Sequence, residues 1–317
     1  MIKNLKKGKV LNLSQESLNI PKDLIDFEKL IVLPDYSPSE GLPVGSVAVF
    51  DRTTHKIKHN YMGQDIGCGM LIAKIDINSD TLEDCMDKIV NTLLARKGNG
   101  LGTLGQGNHF ITLYEVRESK GILVQPNDYI VLIHSGSRDE GKRFYNLALQ
   151  SEEYFELQKT VLDYASRNRH LLLELIANTF KSNPEIISDK SHNFIEESGQ
   201  KIIYRKGNVK VLPGDLSIIP SSMVGQAVIV GVSSLISEIE YAVPHATGRI
   251  ISRSKAKEQQ FYLEGIPDSI YIPHFLSAKH LNGELPQNYR GLEEVLSKIS
   301  RYVSIEAKLV PRSSIML

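Results

Sequence analysis

The segment YMGQDIGCGM, residues 61 to 70, sets Asp65 and Cys68 three residues apart among Gly63, Gly67 and Gly69. A carboxylate and a thiol in so pliant a stretch have few purely structural uses. Four of the nine histidines share a comparable setting. His109 follows Gly105-Gln106-Gly107-Asn108, and His134 ends the apolar run from Tyr129 to Ile133. His192 stands in Ser191-His192-Asn193, and His245 in Pro244-His245-Ala246-Thr247-Gly248-Arg249. Turns and strand ends are where binding groups are carried on a rigid scaffold. A thiolate, imidazoles and one carboxylate suit a borderline divalent ion such as Mn²⁺, Zn²⁺ or Fe²⁺ and disfavour Mg²⁺ or Ca²⁺. The donors exceed one tetrahedral set, so a binuclear cleft bridged by Cys68 is the economical expectation. Metal pairs about 4 Å apart serve phosphoryl chemistry, and glycine-rich loops offer backbone N–H groups to phosphate oxygens.

Those residues need strands to hold them. LIVLPDYSPSEGLPVGSVAVFD reads as strand, turn, strand, and MLIAKIDI as another strand. Helical spacing runs from Thr81 to Arg96, with Thr81 as cap and Asp84 as first-turn acid. Cys85, on that helix, reads as a small buried hydrophobe apart from Cys68. GNGLGTLGQGNHFITLYEV is a glycine-dense loop entering a strand, and DYIVLIHSGSRDEGKRFYNLALQ a strand, a turn and a helix continuing to about Ala177. Strands and turns follow in HNFIEE, KIIYRKG, KVLPGDLSIIPSS, QAVIVGV and YAVPHATGRIISRS. A last helix covers Leu292 to Arg301, before the strand SIEAKLVP. Helices and strands do not alternate regularly, which predicts an α+β fold. No linker or repeat is visible, so one large mixed domain over residues 1–317 is expected.

Composition excludes several classes. Lys+Arg and Asp+Glu balance at 37 each, so no whole-molecule field attracts nucleic acid. The clusters Lys3/Lys6/Lys7/Lys9, Arg138/Lys142/Arg143, Arg205/Lys206/Lys210 and Arg253/Lys255/Lys257 read as solvated faces unless they converge on one cleft. Two cysteines exclude a disulfide scaffold and point to a reducing compartment. With no apolar run of the roughly 18–20 residues that span a bilayer, and no apolar segment after the charged start, a cytoplasmic protein without membrane contact is expected.

Asp65-Ile-Gly-Cys68-Gly69, Gly107-Asn108-His109-Phe110, His134-Ser-Gly-Ser-Arg138, His192-Asn193 and His245-x-x-Gly248-Arg249 occur in this order with fitting intervals. Together they resemble the RtcB family of GTP-dependent RNA ligases, and PDYSPSEGLPVGSVAVFD is similar to another family segment. The resemblance runs from about Leu33 to Val310 and includes Arg205-Lys206-Gly207 and Pro213-Gly214-Asp215. It implies two Mn²⁺ per chain, one held by Asp65, Cys68 and His109, the other by Cys68, His134 and His192. It implies His245 as the nucleophile that takes GMP from GTP. Asn108 and Asn193 would contact the nucleotide, Thr247, Gly248 and Arg249 its phosphates, and Asp35 would act near the RNA end. The implied reaction joins a 3′-phosphate or 2′,3′-cyclic phosphate RNA end to a 5′-hydroxyl, in RNA repair or tRNA splicing, with any auxiliary protein unspecified.

The departures from that family are specific. Thr112 stands where members carry a guanine-reading glutamate, and Met316 where they place a terminal lysine. Ser37 replaces a histidine, Met70 an arginine, and the chain is shorter than typical members. Losing groups that hydrogen-bond a base relaxes the preference for it. The departures leave open a metal-dependent RNA-end phosphoesterase, a ligase of altered nucleotide specificity, or a non-catalytic RNA-end-binding paralogue. Arg138 and Arg249 read equally as phosphate contacts or as loop anchors on a carboxylate. Tyr164, Arg167 and Arg169 read as a solvated helical face, and His55, His59, His170, His274 and His280 as surface or packing residues.

Overall fold

The computed structural model describes residues 8–96, 98, 100–105, 108–121, 123–147, 151–258, 266–267, 269–274 and 283–317. Lys3, Lys6, Lys7, Gln106, Gly107 and His280, singled out above, lie outside them. The chain lays down β1 (Lys9–Asn12), β2 (Lys29–Ser37), β3 (Val44–Asp51) and β4 (Gly69–Ile75), then α1 (Leu82–Ala95), β5 (Phe110–Ser119) and β6 (Tyr129–Ser135). Helices α2 (Asp139–Tyr145) and α3 (Ser151–Phe180) precede β7 (Glu185–Ser191), β8 (Asn193–Ser198), β9 (Lys201–Lys206) and β10 (Asn208–Lys210). There follow β11 (Ser217–Pro220), β12 (Ala227–Val232), β13 (Ala242–Pro244), α4 (Arg253–Glu258), α5 (Leu292–Ile299) and β14 (Val303–Met316).

Among the described residues these strands form a seven-stranded sheet in the order β11-β12-β14-β5-β6-β4-β7, a five-stranded sheet in the order β1-β2-β3-β9-β8, and the pair β10-β13. Period-2 alternation divides the larger sheet cleanly. Leu71, Ala73, Ile111, Leu113, Val131 and Ile133 face one side, where Met86, Ile89 and Val90 of α1 and Leu172 and Ile176 of α3 cover them. Met70, Ile72, Tyr114, Val116, Ile130 and Leu132 face the other. The result is a mixed arrangement of helices and mostly antiparallel strands.

Three expectations change at element ends. The helix after Arg138 stops at Tyr145 and a separate α3 begins at Ser151. Asn146 N donates to Lys142 O and Arg143 O, and Leu147 N to Phe144 O at 3.1 Å, a tightening that ends the first helix. Thr81 precedes α1 but makes no side-chain cap bond; its hydroxyl donates backwards to Asn78 O at 3.1 Å. The last strand runs through Pro311 to Met316, since the register shift between Pro311 and Ser313 accommodates the proline. Cys85 is only partly buried, with its thiol donating to Thr179 O at 3.6 Å on α3.

Candidate active site

Strands β6 and β7 flank β4, and Gly69 pairs with Ser135 on one side and Ser191 on the other. Residues at these strand ends therefore meet at one edge of the sheet. Cys68 Sγ lies 3.1 Å from His134 Nε2, which lies 3.3 Å from His192 Nε2. All three are buried, with their ligating atoms within 4.8 Å of one another. Burial holds both imidazoles well below the usual histidine range, and neighbouring histidines add to the effect. Burial also pushes the Cys68 thiol up, with Asp65 adding and Arg169 opposing. The Nδ1 atoms of His134 and His192 have no hydrogen-bond partner among the described residues. One sulfur and two imidazole nitrogens, converging and uncharged, fit a borderline divalent ion, which would favour the thiolate on binding.

His109 and Asp65 stand beside this group rather than in it. His109 Nε2 lies 3.4 Å from Cys68 Sγ, while Arg138 Nη1 donates to His109 Nδ1 at 3.0 Å. An acceptor at Nδ1 puts the ring hydrogen on Nε2, facing the sulfur. Asp65 is exposed and its carboxylate is outside the compact ligand group, although it lines the cavities on both sides of Cys68. Asn108 lines both cavities as well. Asn193 spends its amide on backbone: Nδ2 donates to Asp65 O at 3.2 Å, and Oδ1 accepts from Gly207 N at 2.8 Å.

The larger cavity, of about 540 Å³, brings His134, His192, Asn193, Lys206 and His245 together. His245 follows β13, its ring centroid 4.6 Å from that of His192. Its Nδ1 lies 2.8 Å from Gly207 O and 3.0 Å from Asp35 Oδ2. A carbonyl only accepts, so Nδ1 carries the hydrogen and Nε2 keeps its lone pair. Asp35 is fully buried, and burial raises its carboxyl above the usual range against the lowering effect of His245. Two glycines make room for it: a Cβ on Gly45 would meet Asp35 Oδ1 at 2.5 Å, and one on Gly248 would meet Asp35 O at 2.3 Å, both at positive φ. Thr247 is buried, while Gly248 and Arg249 line the cavity. Arg249 is anchored: it donates to Glu284 Oε2 at 3.1 Å and to Tyr289 OH at 2.7 Å, and lies over the Tyr289 ring.

Several functional positions escaped sequence reasoning. Arg169 is not on a solvated face; only 1% exposed, it pairs with Asp189 Oδ1 at 2.5 Å and donates to Gly67 O and Ser135 O, tying together the backbones that carry Cys68 and His134. Arg167 is exposed as expected and Tyr164 is partly buried. The missed signal was periodicity, because Asn168 and Arg169 continue the stripe Val161, Ala165, Leu172, Ile176. Arg205 and Lys206 are likewise buried rather than solvated. Burial lowers the Lys206 amine to about 8, against the raising influence of Asp65 and Glu40.

The family model for tRNA-splicing ligase RtcB matches residues 22–97, 91–150 and 144–316. A tRNA-splicing ligase RtcB of Thermococcus kodakarensis is 21% identical, over 94% of this chain and 89% of that protein. That of Nanoarchaeum equitans is 22% identical, over 98% and 91%. The RNA-splicing ligase RtcB of Escherichia coli K12 is 22% identical, over 92% and 90%. No described helix is long and apolar enough to cross a membrane. With the matched segments spanning nearly the whole sequence, this chain belongs to the RtcB family.

Proposed function

We propose that this chain is an RNA ligase acting in tRNA splicing or RNA repair, through a nucleotide carried on His245. The observation that carries the reading is the placement of His245: Nδ1 is within reach of Gly207 O and Asp35, which leaves Nε2 without a partner among the described residues, beside the Cys68–His134–His192 cluster. Cys68, His134 and His192 would hold one Mn²⁺. Asp65, Cys68 and His109 would hold a second ion, which requires Arg138 to release His109 Nδ1. When bound, such ions would withdraw charge from phosphate oxygens.

The chain's own residues would begin the reaction. His245 Nε2 attacks the α-phosphorus of GTP, the P–N bond forms and pyrophosphate leaves. Asp35 stabilises the charge that develops on the ring as Nδ1–H stays in place. Lys206, Asn108 and the Thr247-Gly248-Arg249 turn border the path of the phosphates. An RNA 3′-phosphate, opened from a cyclic phosphate by water where needed, attacks the nucleotidyl phosphorus and releases His245. The 5′-hydroxyl oxygen then attacks the RNA phosphorus and GMP departs. Residues 1–317 would act as one catalytic domain.

Intact-mass analysis after incubation with Mn²⁺ and GTP, with His245→Ala as control, tests the nucleophile. A GMP adduct lost in the variant, together with joining of 3′-phosphate and 5′-hydroxyl RNAs, is expected. Joining that survives in His245→Ala would overturn the mechanism.

A further inference from the structure

Beyond the histidines, the floor of the cleft is a lateral row across neighbouring strands. Met70 on β4 pairs with His134 on β6, His134 with Phe110 on β5, and Phe110 with Met316 on β14. Residues paired across an antiparallel ladder point to the same face. A candidate metal ligand thus stands in line with a thioether on one side and an aromatic ring and second thioether on the other. All of them line the cavity, and the Phe110 ring centroid is 5.1 Å from that of His134. One pleat further along, the same face carries Ile72, Leu132, Thr112 and Ser314. The polar members of that row are already engaged. Ser314 Oγ donates to Met223 O at 2.7 Å, which leaves Thr112 Oγ1, 2.5 Å away, to donate to Ser314.

We propose that this platform seats the base of a nucleoside triphosphate and accepts adenine as readily as guanine. Aromatic and thioether contacts act on the π-face, which every purine presents. Telling guanine from adenine requires fixed groups on the base edge. Among the described residues, the charged ones lining the cavity are Glu40, Asp65, Lys206, Arg249 and Glu284, and none belongs to either row. Arg249 and Glu284 are paired with each other. Ser222 lines the same cavity and is buried, with an Oγ that has no partner among the described residues. A hydroxyl both donates and accepts, so it meets the guanine carbonyl or the adenine amine equally. The turn carrying Ser222 is tied to the nucleophile's loop by Thr247 N donating to Pro220 O at 3.1 Å. Phe110 and His245 line the same cavity, so a triphosphate whose base lies on Phe110 would share that space with His245.

The inference rests on the histidine–nucleotide reading, and two readouts separate them. Displacement of a fluorescent GTP analogue from the Mn²⁺-loaded protein by unlabelled GTP, ATP, CTP and UTP measures base preference without chemistry. Intact mass with each nucleotide measures adduct formation. GTP and ATP are expected to compete within about threefold of each other, ahead of the smaller pyrimidines. Phe110→Leu should weaken both purines together by about tenfold, leaving their ratio unchanged. A preference for GTP over ATP of about thirtyfold or more would mean that the edge is read, overturning the inference while a GMP adduct keeps the mechanism. Equal displacement with no adduct keeps the platform and removes the histidine chemistry. Failure of every nucleotide to compete overturns the platform.

Discussion

The carboxylate of Asp35 lies 3.0 Å from Nδ1 of His245, although the two residues are 210 positions apart in sequence. Gly207 O shares that hydrogen at 2.8 Å, so the tautomer does not depend on the carboxylate alone. Asp35→Asn should therefore slow nucleotidyl transfer by about 10- to 100-fold, the usual cost of losing a supporting partner. The rate of adduct formation by mass spectrometry checks this. A loss as complete as that of His245→Ala would mean the carboxylate does more than orient and stabilise the ring.

Metal content tests the proposed pair of sites. The wild-type protein is expected to retain two Mn²⁺ per chain, Cys68→Ala neither, and His192→Ala or Asp65→Ala one each. Elemental analysis after gel filtration provides the counts. A wild-type protein saturating at a single ion would remove the binuclear reading. Chelation should also lower the unfolding midpoint, since an ion in thousandfold excess over its Kd stabilises by about 4 kcal/mol.

Arg169 acts on the cluster from behind. Removing it leaves the partly buried Asp189 without its guanidinium partner, so Arg169→Met should cost about 3 kcal/mol of stability. Arg169→Lys keeps the charge but cannot reach Gly67 O, Ser135 O and Asp189 with one planar fork. It should fold and bind metal roughly tenfold more weakly. Urea midpoints and metal titrations distinguish the two effects; undiminished metal affinity in the lysine variant would confine Arg169 to stability.

His55 makes stability pH-dependent away from the cleft. It stacks on Phe50 at 3.8 Å, and Tyr204 OH lies 2.8 Å from its Nε2. Burial lowers its pKa from 6.5 to about 4, with Lys58 adding to the effect. The unfolded chain binds more protons between those values, so stability is full above pH 6.5 and falls as the pH drops toward 4. With the ring partly solvated, the loss should be about 1–2 kcal/mol. Denaturant midpoints across that window should show this contribution in the wild type and lose it in His55→Gln; identical slopes would count against it.

Much of the site was legible because its residue types sit where local pattern alone can put them. The apolar runs ending at His134 and Pro244 mark strand ends, and the glycines around Cys68 mark a turn, so these groups were recognisable as chemistry carried on a scaffold. The helix over Leu82–Ala95 and the paired strands over Lys29–Ser37 and Val44–Asp51 followed from periodicity in the same way. Arg169, Lys206 and Thr112 were less legible, because charge and polarity in a sequence do not state whether a partner waits in the fold.

Sequence alone therefore offered the side chains that would ligate, attack or bind phosphate and set them at strand ends or in turns, because strand and helix periods are local properties of a few residues. The tertiary structure decided which of those ends meet. Pairing of β14 with β5 sets Met316 beside Phe110 and ties up Thr112 with Ser314, and pairing of β4 with both β6 and β7 gathers Cys68, His134 and His192. Those pairings span tens to about two hundred residues of chain. They are selected by burial of whole sheet faces, a free energy summed over many apolar side chains that no single motif carries.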